Sequence, residues 1–282
     1  HDLCRRQRQM CIRDRLKAIE ATNSSLLRYQ YARYLLGKQK LTEAKAQFDV
    51  LVADPAATVD HLIGAAVLDI ELSDSVSALL HLDRALPFGQ RVSDAQFFKA
   101  LALIQLNDIS GALKALGEVG PSTNYGRALQ EAAAILVSQG DIGAANAFFE
   151  EHRQVHADGA ELNFALHAET LQTLGSIEAE SVLSRGIDAF PTSTRLLFAR
   201  ANFRERAGFF DLAEADYRRI LSLNPGDANA LNALGYALTN NTDRFQEAAG
   251  LLEEAISKDP RNPAIIDSLG WVYFKLGKDR QA

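Results

Sequence analysis

Two histidines of this 282-residue chain have a spacing that could hold a metal ion. His152 and His156 lie four residues apart, so on a continuous helix they share one face. A zinc site needs further ligands, and neither a His-Glu-x-x-His pattern nor an evident third ligand accompanies the pair. We therefore interpret the two residues as a solvated pair near a helix end, and we expect no metal and no cofactor.

Neighbouring carboxylates could act in acid–base catalysis, and two such pairs occur, Glu150 with Glu151 and Glu253 with Glu254. Glu254 and Lys258 have the i, i+4 spacing of an exposed helix pair, so a solvated helix face explains these residues better. The sequence contains neither a glycine-rich phosphate-binding motif nor a Gly-x-Ser-x-Gly turn. We expect no catalytic residue, and we predict that the chain is not an enzyme.

Residues 1–15 differ in composition from the rest of the chain. They contain both cysteines and five arginines against two aspartates, a charge of +3, which leaves −9 on the remainder of a chain of net charge −6. The stretch resembles translated adapter sequence, and a genuine basic tail is the alternative. We expect residues 16–24 to be the remnant of a preceding helix. The chain also stops inside its last repeat, so we interpret it as an internal fragment, with any signal peptide, lipid anchor or catalytic domain outside it.

Composition also limits the classes of partner. The negative net charge disfavours nucleic acid as the main partner. No apolar stretch reaches the length of about 18 residues that a transmembrane helix requires. We therefore predict no transmembrane segment and no nucleic-acid ligand.

Alanine recurs at one spacing along nearly the whole chain. The intervals are 33 to 35 residues, at Ala44, Ala78, Ala112, Ala145, Ala179, Ala213, Ala248 and Ala282. A fixed period in this range indicates stacked supersecondary units in place of one globular core. If the alanine is position 20, the units begin near Ser25, Val59, Ser93, Gly126, Ala160, Thr194, Ala228 and Pro263.

Two further positions of each unit are restricted in size. Position 8 is small in seven of eight units, at Ala32, Ala66, Ala100, Ala133, Ala201, Gly235 and Gly270, and His167 is the exception, where we expect a local packing adjustment. Position 24 is large and apolar or aromatic, at Phe48, Leu82, Leu116, Phe149, Leu183, Tyr217 and Leu252. Small residues allow two helices to approach and the large residue fills the space beside them. Each unit is therefore predicted to be a pair of packed helices.

Turn residues agree with these helix pairs. Proline follows the predicted second helices at Pro191, Pro225 and Pro260. Glycine occurs near the turn inside the units, at Gly140, Gly175, Gly208 and Gly277, where a left-handed helix cap suits it. Asp141 and Asp211 are expected to cap second helices. Strand-like alternation is absent from the sequence, so the predicted fold class is all-α.

These residues resemble the tetratricopeptide repeat (TPR) family. The last unit matches its pattern at Leu269, Gly270, Tyr273 and Ala282, and the sixth at Ala213, Tyr217 and Pro225. The resemblance covers residues 25–282. It implies a right-handed superhelical α-solenoid of about eight helix-turn-helix units, the last one truncated.

The resemblance also implies a concave groove, lined by the first helices, that binds other proteins. Carrying the family's groove positions onto this chain selects twelve candidate residues: Ile63, Val67, Phe97, Leu101, Phe164, Phe198, Asn202, Arg206, Asn232, Tyr236, Trp271 and Lys275. Position 5 is never lysine, so a clamp for chaperone C-termini is not expected.

Residues 231–277 are similar to a group of long bacterial, largely proteobacterial, repeat proteins, several of them periplasm-facing outer-membrane lipoproteins. The first hypothesis is a non-catalytic scaffold or adaptor that recruits an envelope protease or cell-wall enzyme. The alternative is a substrate-recruiting arm of a larger enzyme, a glycosyltransferase or a protease. A cytoplasmic assembly factor is a third interpretation, and the sequence leaves the compartment unknown.

Overall fold

The computed structural model describes residue 19 and residues 21–278, which form α-helices and no strand. Eight helices are the first members of pairs: α1 Ser25–Leu36, α3 Val59–Glu71, α5 Val92–Gln105, α7 Tyr125–Gln139, α9 Ala160–Thr173, α11 Thr194–Arg206, α13 Ala228–Asn241 and α15 Pro263–Lys275. Seven are second members: α2 Leu41–Ala53, α4 Ser75–Ala85, α6 Ile109–Gly117, α8 Ile142–Val155, α10 Glu178–Ala189, α12 Phe210–Leu223 and α14 Phe245–Lys258. The all-α prediction is confirmed.

The helices belong to two compact units, one ending at Ile135 and the other beginning at Leu136. In the first unit α1 packs on α2, α3 on α4 and α5 on α6. In the second unit the pairs are α9 with α10, α11 with α12 and α13 with α14. Within both units, first helices also contact the first helices of the neighbouring pairs, as α3 does with α5 and α13 with α15. Each unit is thus a stack of helix pairs.

The recurrent alanines lie inside these pairs. All seven from Ala44 to Ala248 are at most 1% exposed, and the large residues at position 24 are equally buried. Gly235 shows the reason for the small residues. A β-carbon there would lie 2.7 Å from Cγ of Leu252 and 3.2 Å from the carbonyl oxygen of Ala248. Positions 8, 20 and 24 therefore meet at one helix contact, as predicted.

Helix ends follow the expected local chemistry. Gly140, Gly175, Gly208 and Gly277 have φ angles between +69° and +83°, the left-handed region that glycine enters without strain. Asp141 caps α8 by accepting a hydrogen bond from the amide of Ala144. Second helices end at Ala189, Leu223 and Lys258, each two residues before a proline.

Two details of the predicted register are wrong. In the fourth pair the buried small residue is Ala132, whereas Ala133 is partly exposed, so the contact lies one residue earlier than the period suggests. Asp211 does not cap α12, because Phe209 occupies the N-cap and Asp211 lies inside the first turn. A carboxylate in that turn still interacts favourably with the helix dipole.

Several predictions for the chain ends concern residues outside the described ranges. Ile19 and residues 21–22 are helical, and Ile19 is buried. Residues 1–15 and Ala282 lie outside the part of the chain that the structure describes.

Candidate functional site

Two of the four predicted groove residues of the first compact unit lie in its core. Ile63 and Phe97 are 2% and 0% exposed, so the prediction that they line an open groove is wrong. α3 and α5 contact each other and cover these side chains. The guanidinium of Arg127 lies 4.9 Å from the Phe97 ring centre and covers it further. Val67 and Leu101 remain partly exposed.

The second compact unit, which begins at Leu136, has an open groove across the first helices of three successive pairs, α11, α13 and α15. The cavity at its centre has a volume of about 740 Å³. Four of the candidate residues line it, namely Phe198, Asn202, Asn232 and Tyr236. The Tyr236 side chain is 42% exposed, so an aromatic surface is open to a ligand.

Tyr217 fixes the floor of this central cavity from the second helix α12. Its hydroxyl lies 2.8 Å from Oδ1 of Asn202 and 2.9 Å from Oε2 of Glu205, to which it donates. The Tyr217 ring meets Phe198 edge to face at 5.6 Å. Burial, with the nearby Glu205 carboxylate, raises the pKa of Tyr217 far above its usual range. The hydroxyl therefore stays protonated and holds both polar side chains in place.

Smaller cavities extend the groove on both sides. One of about 520 Å³ lies between α9 and α11 and shares Arg195 and Asn202 with the central cavity. Arg206, another candidate residue, lines it and donates to the side-chain oxygen of Gln172. The other, of about 570 Å³, lies between α13 and α15 and shares Tyr236 with the central cavity. Shared lining residues make the three cavities one continuous surface, which we call the unit-2 groove.

Trp271 and Lys275 lie at the α15 end of the unit-2 groove. The Trp271 indole N–H donates to Oδ1 of Asn240 over 2.9 Å. Its ring stacks on Phe274 at 5.5 Å, and the Lys275 ammonium lies 4.8 Å from the ring centre. Trp271 is 38% exposed, so this aromatic pair also faces solvent.

Sequence reasoning missed several lining residues. Asp227 was missed because it precedes α13 as its N-cap, where its side chain accepts from the amides of Asn229 and Ala230. Tyr217 was assigned to packing alone. An aspartate directly before a helical segment is the signal that could have placed Asp227 at the helix end. Phe164 is another of the predicted groove residues. The Arg153 guanidinium lies 4.3 Å from its ring centre, and its ring contacts that of Phe190.

Comparison with known proteins supports one family. The chain matches no protein-family model. It is 31% identical over 172 residues to a TPR repeat-containing protein of Pseudomonas aeruginosa. The matched residues make up 61% of this chain and 29% of that protein. It is 26% identical over 189 residues, 66% of this chain, to bacteriophage adsorption protein A of Escherichia coli, of which it spans 19%. The C-terminal part of a TPR repeat-containing protein from Cytophaga hutchinsonii has a similar fold, with a TM-score of 0.52 and 18% identity over 86% of this chain and 99% of that structure.

The chain is thus similar in sequence to one TPR repeat-containing protein and in fold to another. Its stacked helix pairs have the fold of the Cytophaga structure. The chain spans less than a third of the length of either curated relative.

The fifth helix pair carries a buried polar cluster at the position where the other pairs have a small residue. His167 is fully buried and stacks on Phe149 at 4.9 Å. Its Nε2–H donates to Oδ1 of Asn146, and its Nδ1 accepts from the Arg153 guanidinium, which can only donate. Burial, then the charge of Arg153, lowers the pKa of His167 to about 3. The packing adjustment expected at this position is thus a neutral imidazole with both ring nitrogens hydrogen-bonded.

His152 belongs to the same cluster, so its interpretation as part of a solvated pair is wrong. His152 is 2% exposed, and its Nδ1 lies 3.3 Å from the side-chain amide nitrogen Nδ2 of Asn163. The His152 and His156 rings lie 4.6 Å apart. Among the described residues there is no group of three or more histidines, cysteines or carboxylates placed to hold a metal ion. Nor does any helix of the described chain have the length and apolarity needed to cross a membrane.

Proposed function

We propose that this TPR protein is a non-catalytic scaffold, and that the unit-2 groove holds a segment of a partner protein. The observation that carries the proposal is the cavity of about 740 Å³ lined by α11, α13 and α15, with the exposed Tyr236 beside the amide side chains of Asn202 and Asn232. Aromatic residues of this kind are frequent anchors of protein interfaces.

The groove is built on helices whose packing already fixes its side chains. Asn202 is held by Tyr217, and Asn240 by Trp271. A preformed surface loses little conformational freedom on association, which favours affinity. These contacts support binding by side chains that are in place before the ligand arrives.

The family and the relatives support a role in protein interaction. TPR units generally serve as non-catalytic interaction modules. Residues 231–277 resemble envelope repeat proteins, and one relative is named for bacteriophage adsorption. We therefore propose an envelope partner, such as a protease or a cell-wall enzyme that the scaffold recruits.

Affinity capture tests the proposal with a groove variant and a control variant outside the groove. The immobilised chain is incubated with envelope and cytosolic fractions of a proteobacterium, and the bound proteins are quantified by mass spectrometry. Tyr236→Ala removes the exposed anchor of the groove. Ile177→Ala removes a side chain that is 86% exposed at the start of α10, and it serves as the control.

The wild type and Ile177→Ala should retain the same envelope proteins. Tyr236→Ala should reduce their recovery about tenfold or more, since loss of an interface anchor costs about 2 kcal/mol or more. Equal recovery by all three baits would contradict a binding role for the groove. Retention of cytosolic proteins alone would contradict the envelope partner.

A further inference from the structure

The unit-2 groove has an unequal distribution of charge. Its central cavity is lined by three carboxylates, Glu205 on α11, Asp227 at the N-cap of α13 and Asp267 on α15, and by one cation, Arg195. Asp267 is exposed, and no described residue forms an ion pair or hydrogen bond with its carboxylate. The carboxylates of Glu205 and Asp227 each accept hydrogen bonds but have no cationic partner within the described chain. The floor of the groove therefore carries negative charge that a ligand could neutralise.

Aromatic rings stand beside these carboxylates. Phe198 and Tyr236 line the same cavity as Asp267. The face of an aromatic ring attracts a cation, and a guanidinium or ammonium with a carboxylate beside it gains from both interactions. The chain already shows this interaction at the end of the groove, where Lys275 lies over Trp271. Tyr236 and Asp267 offer a ring and a carboxylate in one cavity, and no cation of the described residues lies over the tyrosine ring.

The amide side chains indicate the backbone conformation of the ligand. Asn232 lines the cavity, and its Oδ1, which is buried, has no hydrogen-bond partner among the described residues. A buried acceptor without a donor lowers stability, so a ligand that supplies an N–H would be favoured. An extended peptide has free N–H groups along its length, whereas a helix uses its own internally.

We infer that the ligand of the unit-2 groove is an extended peptide segment carrying a lysine or arginine next to an apolar residue. The cationic side chain lies among Glu205, Asp227 and Asp267, its stem contacts Tyr236, and a backbone N–H donates to Asn232. This inference rests on the proposed function and adds the chemistry of the partner segment. The cavities of about 520 and 570 Å³ on either side give room for the flanking residues.

Selection from a random dodecapeptide phage library on the immobilised full chain tests the inference. Enriched peptides are synthesised with a fluorescein label, and their dissociation constants are measured by fluorescence anisotropy. Each is compared with a matched peptide in which Nε-acetyl-lysine replaces the lysine, which keeps the stem and removes the charge. The protein variants are Asp267→Asn, Tyr236→Ala and the control Glu254→Gln, whose exposed carboxylate lies on α14 outside the groove lining.

Selected peptides should be enriched in lysine or arginine next to an apolar residue. Acetylation of the lysine and Asp267→Asn should each weaken binding by about threefold to tenfold, and Glu254→Gln should leave it unchanged. Raising the salt concentration should also weaken binding, because the carboxylates are solvent-accessible.

Two different results separate this inference from the proposed function. Peptides that lose binding with Tyr236→Ala, yet show no basic residue and no response to Asp267→Asn, would overturn the inference and leave the groove as a protein-binding site. A selection that recovers no peptide sensitive to Tyr236→Ala would overturn both.

Discussion

His167 stands at a position that is alanine or glycine in the other repeats, and both of its ring nitrogens are hydrogen-bonded. The arrangement works only for the neutral ring. A proton on Nδ1 would face the Arg153 guanidinium, which donates to that nitrogen. The lowered pKa of His167 is the consequence of this geometry, and it links the stability of the fifth repeat to pH.

In the unfolded chain His167 takes up a proton below about pH 6.5, whereas in the folded chain its pKa is about 3. Between these values the unfolded state binds one more proton, so stability falls as the pH falls. The slope for one such group is on the order of 1 kcal/mol per pH unit.

Urea unfolding of wild type and His167→Gln between pH 7 and pH 5 measures the effect. His61 and His81 also have pKa values lowered by burial, but they remain in both proteins and cancel in the comparison. Charged Glu150, Arg153 and Arg185, which act on His167, are likewise common to both. The wild type should lose more stability than the variant on acidification, and parallel curves would contradict the neutral imidazole.

At the scale of helices, the close approach at Gly235 is the contact on which the repeat depends. A β-carbon at this position would overlap Leu252 in the facing helix α14. Gly250, within α14 itself, faces open space and is exposed. The same substitution at the two glycines should therefore have opposite effects.

Gly235→Ala should lower the free energy of unfolding by about 1–3 kcal/mol, because overpacking forces α13 and α14 apart. Gly250→Ala should raise it by up to about 1 kcal/mol, since alanine has the higher helix propensity and meets no obstacle. Urea denaturation of the two variants provides the measurement. If Gly235→Ala proved as stabilising as Gly250→Ala, the helix contact inferred from the period would be wrong.

The helices were predictable because their contacts repeat. A small residue that recurs about every 34 positions predicts, from the sequence alone, where two helices approach closely. The binding surface was only partly predictable, because exposure depends on what the neighbouring helix carries. Position 5 is buried at Phe97 and partly open at Phe198, although the residue type is the same. The ion pairs of Asp216 were not predicted at all, since they depend on side chains that meet across helices.

Over the whole chain, stability in a stacked repeat is expected to be local. Each repeat contacts its neighbours in the stack, so a defect in one pair should raise local opening more than global unfolding. Substitution of Asp216 should destabilise one helix pair strongly and leave distant pairs unchanged. It is 3% exposed on α12 and binds Arg200 through two hydrogen bonds of 2.7 and 2.9 Å and Arg204 through one of 2.8 Å.

Asp216→Ala should leave two largely buried guanidinium groups without this carboxylate, at a cost of about 3 kcal/mol or more. Hydrogen exchange followed by mass spectrometry should then show exchange about a hundredfold faster in α11 and α12. Amides of α3 and α4, which belong to the other compact unit, should keep their wild-type rates.

Glu247→Ala is the matched control for this measurement. Glu247 also pairs with two arginines, Arg218 at 2.5 Å and Arg244 at 3.7 Å, but its side chain is 40% exposed. Water screens such pairs and replaces their hydrogen bonds, so the exchange rates should change little. Uniformly faster exchange throughout both units with Asp216→Ala would mean that the chain unfolds as one cooperative body. The repeats would then share a single core, and a ligand bound at α11, α13 and α15 would stabilise α3 and α4 as much as the groove itself.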